Sequence, residues 1–135
     1  MAMTNNVTVA GEFGVKPTLT FPATPAPTEL QVSVLHEGDG EVVEAGDKLV
    51  CHYFGQVWDG PVFDTSFDRG QTVGFPIGVG AVIQGWDQGL VGQRVGSRVL
   101  LVIPADLAYG ARGIPQAGIP GGATLVFVTD IVGVE

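Results

Sequence analysis

The sequence predicts an α+β fold, an antiparallel sheet wrapped on one short helix. Three observations lead there. The chain has 135 residues with 21 glycines and 9 prolines, yet 45% of it is apolar. That balance suits short strands joined by tight turns, because glycine and proline punctuate regular structure. Several segments alternate apolar and polar residues with the period of two that a half-buried strand requires, and one stretch, 81–90, carries apolar residues at helical spacing.

The elements follow in order. Residues 1–28 differ in character from the remainder and read as an N-terminal arm, with residues 29–135 as one domain. Within the arm, Val7, Val9 and Thr18 to Phe21 suit two short pairing strands, and Pro22, Pro25 and Pro27 end it in an extended linker. The sequence leaves open whether the arm lies along the domain or moves apart from it. Leu30, Val32 and Val34 alternate as a strand, stopped by Glu37-Gly38-Asp39-Gly40, whose residues tolerate positive φ. After the turn Glu44-Ala45-Gly46-Asp47, Lys48 to Trp58 forms a longer strand with Leu49, Cys51 and Tyr53 on one face. Asp59-Gly60-Pro61 turns the chain, Val62 and Phe63 lead into the polar segment Asp64 to Gln71, and Val73, Phe75 and Ile77 resume a strand.

Ala81 to Leu90 places Ile83, Trp86 and Leu90 on one helical face. Gly85 and Gly89 lower its intrinsic stability, so this helix needs a sheet to hold it. Arg94 to Ile103 and Ala123 to Val132 are β-branched runs, the second with Leu125, Phe127 and Ile131 sharing a face. Between them runs Ala105 to Gly122, rich in Gly, Pro and Ile. Such an apolar loop beside a sheet edge covers a site more often than it merely connects strands.

Composition and motifs exclude several functions. A net charge of −8 disfavours nucleic acid and anionic membrane surfaces, whose binding depends on Lys and Arg. Nine of the fourteen acids lie between Glu29 and Asp68, a skew more often serving solubility than recognition. The single Cys51 cannot form an internal disulfide, and the first thirty residues lack the pattern of a secretory signal, so cytoplasm is the default location. Asn6-Val7-Thr8 fits a glycosylation sequon that has no meaning without secretion. No apolar run reaches membrane-spanning length, and a monomer is the default state. Gly78-x-Gly80 lacks the third glycine of a dinucleotide fingerprint, since position 83 is Ile, and no phosphate-cradling loop is present. His36, His52 and Cys51 show no metal spacing, and Ser33, Ser66 and Ser97 lack a nucleophile elbow. Asp64 and Asp68 sit close together, but nothing else supports glycosidase chemistry.

Five motifs in order carry a resemblance. Val50-Cys51-His52-Tyr53-Phe54-Gly55, Asp59-Gly60-Pro61-Val62-Phe63-Asp64-Thr65-Ser66 and Val82-Ile83-Gln84-Gly85-Trp86-Asp87-Gln88-Gly89 are followed by Ile103-Pro104-Ala105-Asp106-Leu107-Ala108-Tyr109-Gly110 and Ala123-Thr124-Leu125-Val126-Phe127. From Glu29 to Glu135 the chain resembles the FKBP-type, macrolide-binding immunophilin, peptidyl-prolyl isomerases. The resemblance implies a half-barrel of about five to six antiparallel strands around the short helix. It implies no cofactor and no metal. Its partners would be proline-containing peptides, unfolded or partly folded proteins, and macrolides such as tacrolimus and rapamycin. Carried over residue by residue, it places Trp86 at the floor of a prolyl pocket with Tyr53, Phe63 and Phe127 as walls and Asp64 and Tyr109 alongside. Arg69, Val82, Ile83 and Ile119 would bind substrate, the Ile83 N–H and the Tyr109 hydroxyl holding ligand carbonyls.

The chain also departs from the family pattern. Val73 stands where the family often has an aromatic and opens one pocket edge. The 112–122 loop is one residue longer than in small members, with Ala117 where a bulkier residue is common. It is too short to hold the inserted chaperone domain of some bacterial relatives. Outside the motifs, Phe75 reads as core, Trp58 as a turn-flanking aromatic and Cys51 as a small buried strand residue. A module that binds prolyl segments without turnover is the alternative to an enzyme.

Overall fold

Period-two alternation places strands close to where the sequence suggests them. β1 (Thr8–Ala10) and β2 (Thr18–Thr20) form a small antiparallel hairpin. A six-stranded sheet contains β3 (Gln31–His36), β4 (Lys48–Val57), β5 (Val62–Thr65), β6 (Val73–Pro76), β7 (Arg98–Ile103) and β8 (Leu125–Val134). Its single α-helix among the described residues is α1 (Gln84–Leu90). The computed structural model describes residues 7–135; Asn6 of the sequon and the first residues of the arm lie outside the described residues.

The sheet runs β3-β7-β8-β4-β5, and β6 also pairs with β4. All of its pairings are antiparallel, as the α+β reading requires. β4 therefore has two partners along one edge: β6 opposite Lys48 to Cys51, and β5 opposite Phe54 to Gln56. The chain leaves the ladder between them as a 3-10 turn, Ser66–Arg69. The backbone of Tyr53 thus faces a gap. The Ser66 hydroxyl fills it, accepting the Tyr53 N–H at 2.7 Å and donating to the Tyr53 carbonyl at 3.3 Å. A buried peptide group without a partner would be costly, so this side chain replaces a missing rung.

Alternation along β4, β7 and β8 divides the core in two. Leu49, Cys51, Tyr53, Val99, Leu101, Ile103, Leu125, Phe127 and Ile131 face inward to α1 and form the main cluster with Trp86 and Leu90. Phe54, Leu100, Val102, Val126 and Val128 face the other way. The arm covers that outer face: Val7, Val9, Leu19 and Phe21 pack against it with Trp58 and Phe67. The arm thus lies along the domain, and its strands pair with each other rather than with an edge of the larger sheet. Trp58 is more than turn-flanking, since its ring meets Phe21 edge-on at 5.1 Å.

Beneath the arm, β7 and β8 place Arg98 opposite Asp130, each 1% exposed. The guanidinium donates to both carboxylate oxygens at 2.7 and 3.0 Å, and to the carbonyls of Gly11 and Val15 at 2.9 and 2.5 Å. The Gly14 N–H donates to Asp130 at 2.7 Å. Residues 11–15 thereby supply the bonds that a buried ion pair needs beyond its own.

Glycine decides how α1 sits. A Cβ on Gly85 would stand 2.5 Å from Ile103 Cγ2, and one on Gly89 would stand 2.6 Å from Leu101 Cδ2. Both glycines face β7 and let the helix backbone approach it, which repays their poor helix propensity. The helix starts at Gln84 rather than Ala81, because Ile83 is extended (ψ 148°) and Gly78 and Gly80 hold φ at 79°. β7 likewise begins at Arg98 rather than Arg94, after a turn through Gly96 at φ 96°.

Candidate active site

Rings from four elements converge at the open end of the inner face. Trp86 of α1 stands edge-on to Tyr53 of β4, Phe75 of β6 and Phe127 of β8, with centroids 5.6, 5.4 and 5.4 Å away. Phe63 of β5 meets Phe127 edge-on at 5.6 Å. These separations are those at which aromatic pairs attract through their quadrupoles. The rings bound a cavity of about 280 Å³, completed by Asp64, Ala81, Val82, Ile83 and Tyr109. Its size lies near the lower end of the roughly 300–1,000 Å³ typical of small-molecule sites.

Backbone glycine supports the walls. Gly55 of β4 lies behind Phe63 and Phe127; a Cβ there would meet their ring atoms at 2.7 and 2.9 Å. Only a bare backbone lets both rings approach the strand this closely. On the opposite rim, the Asp87 carboxylate accepts the N–H groups of Gly78 and Gly80 at 2.7 and 2.9 Å. It ties the turn before α1 to the helix and fixes the rim residues Ala81 and Val82. The Ile83 N–H, at the helix N-cap, is among the donors that a helix leaves without an intrahelical acceptor.

One charged group faces the cavity. The Tyr53 hydroxyl donates to Asp64 Oδ2, and Arg69 donates to Oδ1 at 2.9 Å. Burial by itself would raise the Asp64 pKa, but the hydrogen bonds from Tyr53 and Arg69 and the guanidinium charge hold it below the ordinary value. The Tyr53 phenol is pushed up, first by burial and then by its bond to Asp64. Tyr109, 37% exposed, is pushed up by burial and by the Asp64 charge. The site therefore combines an ionised carboxylate, two neutral phenols and apolar walls.

Of the residues carried over from the resemblance, Tyr53, Phe63, Asp64, Val82, Ile83, Trp86, Tyr109 and Phe127 come together around the cavity. Two do not line it. Arg69 reaches the site through Asp64 and the Tyr53 hydroxyl rather than by lining the cavity. Ile119 is buried in the main core at 3% exposure. Its backbone bridges Ile114 by bonds of 2.8 and 3.1 Å, and its side chain packs in the main cluster. Phe75, which the sequence favours as core over pocket, packs on the core and also lines the cavity. Gly55, Ser66 and Asp87 were missed as supports, because each acts on a partner distant in sequence or through backbone groups.

Cys51 plays no part as a nucleophile. It is fully buried, and its pKa is pushed up to about 12 by burial and by the Asp130 charge, so thiolate is negligible at neutral pH. His52 is likewise structural, with Nδ1 2.9 Å from the Ser66 hydroxyl and its ring stacked on Phe67 at 4.8 Å.

Comparison with known proteins agrees with this geometry. Residues 40–132 match the family model described as FKBP-type peptidyl-prolyl cis-trans isomerase. The chain is 46% identical over 120 residues to an FK506-binding protein of Streptomyces anulatus, covering 88% of this chain and 97% of that one. It is 50% identical over 110 residues to the peptidyl-prolyl cis-trans isomerase FKBP15-1 of Arabidopsis thaliana, covering 80% and 71%. The crystal structure of AtFKBP13 superposes with a TM-score of 0.72 at 36% identity, over 78% of this chain and 93% of that one. That of FkpA from Escherichia coli superposes with a TM-score of 0.71 at 40% identity, over 78% and 48%. An antiparallel sheet closed on one helix, an aromatic cavity at its open end and a family match across more than half of its length together make this chain a member of the FKBP-type peptidyl-prolyl cis-trans isomerases.

Proposed function

We propose that the aromatic cavity accelerates rotation about X-Pro bonds by shape complementarity and desolvation, with no covalent step. The observation that carries this reading is the cavity itself: edge-on rings of Tyr53, Phe63, Trp86 and Phe127 around a space fit for a prolyl ring, with one carboxylate at its wall. Amide resonance sets a rotation barrier of about 18–20 kcal/mol, and X-Pro exchange without catalyst takes tens to hundreds of seconds. The planar amide is the more charge-separated form. Water-stripped aromatic surroundings penalise it relative to the twisted transition state, in which that resonance is lost.

Only contacts that strengthen in the transition state raise the rate, each 1.36 kcal/mol giving tenfold. In this scheme Trp86 supports the prolyl ring, Phe63 and Phe127 enclose it, and the Ile83 N–H and Tyr109 hydroxyl hold flanking carbonyls. Asp64 accepts bonds from Tyr53 and Arg69 and fixes the wall; proton transfer is not required. Substrates are prolyl segments of peptides and of unfolded or partly folded proteins, and the activity assists folding. Macrolides occupy the same cavity, a reading supported by the FK506-binding name of the Streptomyces relative.

We further assign residues 1–28 to an arm and 29–135 to the isomerase domain, take the chain as a monomer, and place it in a reducing compartment such as the cytoplasm. The single buried Cys51 supports the last of these, and light scattering tests the monomer. No helix among the described residues is long and apolar enough to cross a membrane.

The test is cis/trans exchange of a short Leu-Pro or Phe-Pro peptide, followed by NMR with and without tacrolimus or rapamycin. Acceleration abolished by drug is the expected result. Drug binding without acceleration would indicate a prolyl-recognition module, and failure of both would overturn the reading.

A further inference from the structure

The 3-10 turn Ser66–Arg69 has two working sides. Ser66 and Arg69 hold the pocket wall, the first through the Tyr53 backbone and the second through the Asp64 carboxylate. Phe67 and Asp68, between them, are engaged by the arm and by what the arm holds. Lys16 Nζ lies 2.7 Å from Asp68 Oδ1. The Phe67 ring joins the outer cluster on which Val9, Leu19 and Phe21 pack, stacks on His52, and lies 5.9 Å from the Arg98 guanidinium. That guanidinium is in turn bonded to Gly11 and Val15 of the arm.

β5 leads directly into this turn and is bonded to the sheet along one side only, at three positions of β4. The Asp64 wall thus depends on the turn for its placement. Phe67 and Asp68 are the turn's contacts on the arm side.

We propose that the N-terminal arm is a positioning element for the pocket, acting through Lys16 on Asp68 and through the Arg98–Phe67 stack to set Tyr53 and Asp64. The inference rests on the reading that Tyr53 and Asp64 form the wall of the working cavity. It gives residues 7–21 a part in catalysis without contact to substrate. These residues are positioning residues.

The test uses the full chain. L19D exchanges an apolar anchor of the hairpin for a charge, and L19M keeps the anchor. K16D sets two carboxylates together at the surface, and the swap K16D/D68K restores an ion pair. Peptide exchange gives kcat/KM, and amide resonances report on Tyr53, Asp64, Ile83 and Tyr109. L19D is expected to lower kcat/KM several-fold and shift the Tyr53 and Asp64 resonances while leaving Ile83 and Tyr109 in place; L19M retains activity. K16D is expected to lower kcat/KM about two- to threefold, the scale of an exposed ion pair, and the swap to recover it.

An arm released in L19D, with its 8–20 resonances at random-coil positions, but with wild-type turnover and unmoved Tyr53 and Asp64 signals, would overturn the proposal. Should L19D fail to fold, the exposed Lys16 and Asp68 variants decide instead: equal turnover in wild type, K16D and the swap would overturn it. If the wild type itself gives no drug-sensitive turnover, the pocket reading fails, and the resonances still decide whether the arm sets the wall.

Discussion

The two faces of the six-stranded sheet carry the same ingredients and put them to different use. Each has a group of aromatic rings and one arginine–aspartate pair. On the outer face, Arg98 and Asp130 are 1% exposed, and the arm supplies backbone groups to both. Beside the pocket, Arg69 and Asp64 are 48% and 41% exposed, with Tyr53 as their further partner. The outer pair is bonded on several sides and enclosed, so it meets no ligand directly. The pocket pair keeps a carboxylate at a cavity wall, where it can meet a ligand. Exposure of the pair separates the roles more than residue type does.

The largest effect should come from breaking the enclosed pair. R98M leaves the Asp130 carboxylate buried with no cation, which costs about 3–5 kcal/mol. Urea unfolding of R98M should show that loss. R69M removes the partner of a half-exposed carboxylate, so its unfolding midpoint should stay close to wild type while peptide exchange slows. Equal destabilisation by the two substitutions would abolish the distinction between the faces.

A second test acts on the pocket alone. In G55A the new methyl meets Phe63 and Phe127 at under 3 Å, so the two rings must move outward. Overpacking of this kind costs about 1–3 kcal/mol. Because the displaced groups are the cavity walls, turnover should fall further than the stability loss alone would suggest. Melting and exchange measured on one sample would show it. A variant with wild-type exchange would mean that the walls are softer than their packing implies.

The sequence made legible what depends on local pattern. Leu49, Cys51 and Tyr53 alternate because β4 has a buried face, and Ile83, Trp86 and Leu90 recur because α1 has one. The ring residues of the pocket became legible through the motifs, which encode their order but not their neighbours. What stayed hidden depends on pairing between distant segments. Arg98 lies inside the β-branched run Arg94 to Ile103, and its partners at 11, 15 and 130 arise only when the arm crosses β7 and β8. Ser66 looked like a loop serine until the gap between β5 and β6 exposed the Tyr53 backbone. Ile119 shows the converse. An apolar residue in a covering loop can serve ligand or core, and Ile119, bridged to Ile114 through its backbone, packs in the core cluster.

A smaller effect is expected on the inner face, away from the cavity. Thr129 of β8 is fully buried, and its hydroxyl has no hydrogen-bond partner among the described residues. Its neighbours on that face, Phe127 and Ile131, are apolar. T129V removes the orphaned hydroxyl at nearly constant shape and places a good strand former there, so it should stabilise by about 1 kcal/mol. Turnover should be unchanged. Destabilisation in urea would show that the hydroxyl is satisfied by a bound water.

The smallest expected effect is of pH on the pocket groups, and its sign follows from their shifts. Asp64 is held below its ordinary pKa, so its contribution to stability is complete above the unfolded value, about 4, and is lost as pH falls through the lower folded value. Tyr53 and Tyr109 are pushed above theirs, so their contributions are complete below about pH 10 and are lost as pH rises through the higher folded values. Between those limits neither the carboxylate nor the phenols change charge, and none of the three should inflect the rate between about pH 5 and 9. Peptide exchange followed by NMR should fall only on an acid limb and an alkaline limb. D64N should lose the acid limb, because the amide has no proton to gain, while its alkaline limb moves down as the phenols lose the nearby charge that helps hold them neutral. An acid limb that survives in D64N would assign it to a group outside the pocket and remove Asp64 from the wall's electrostatics.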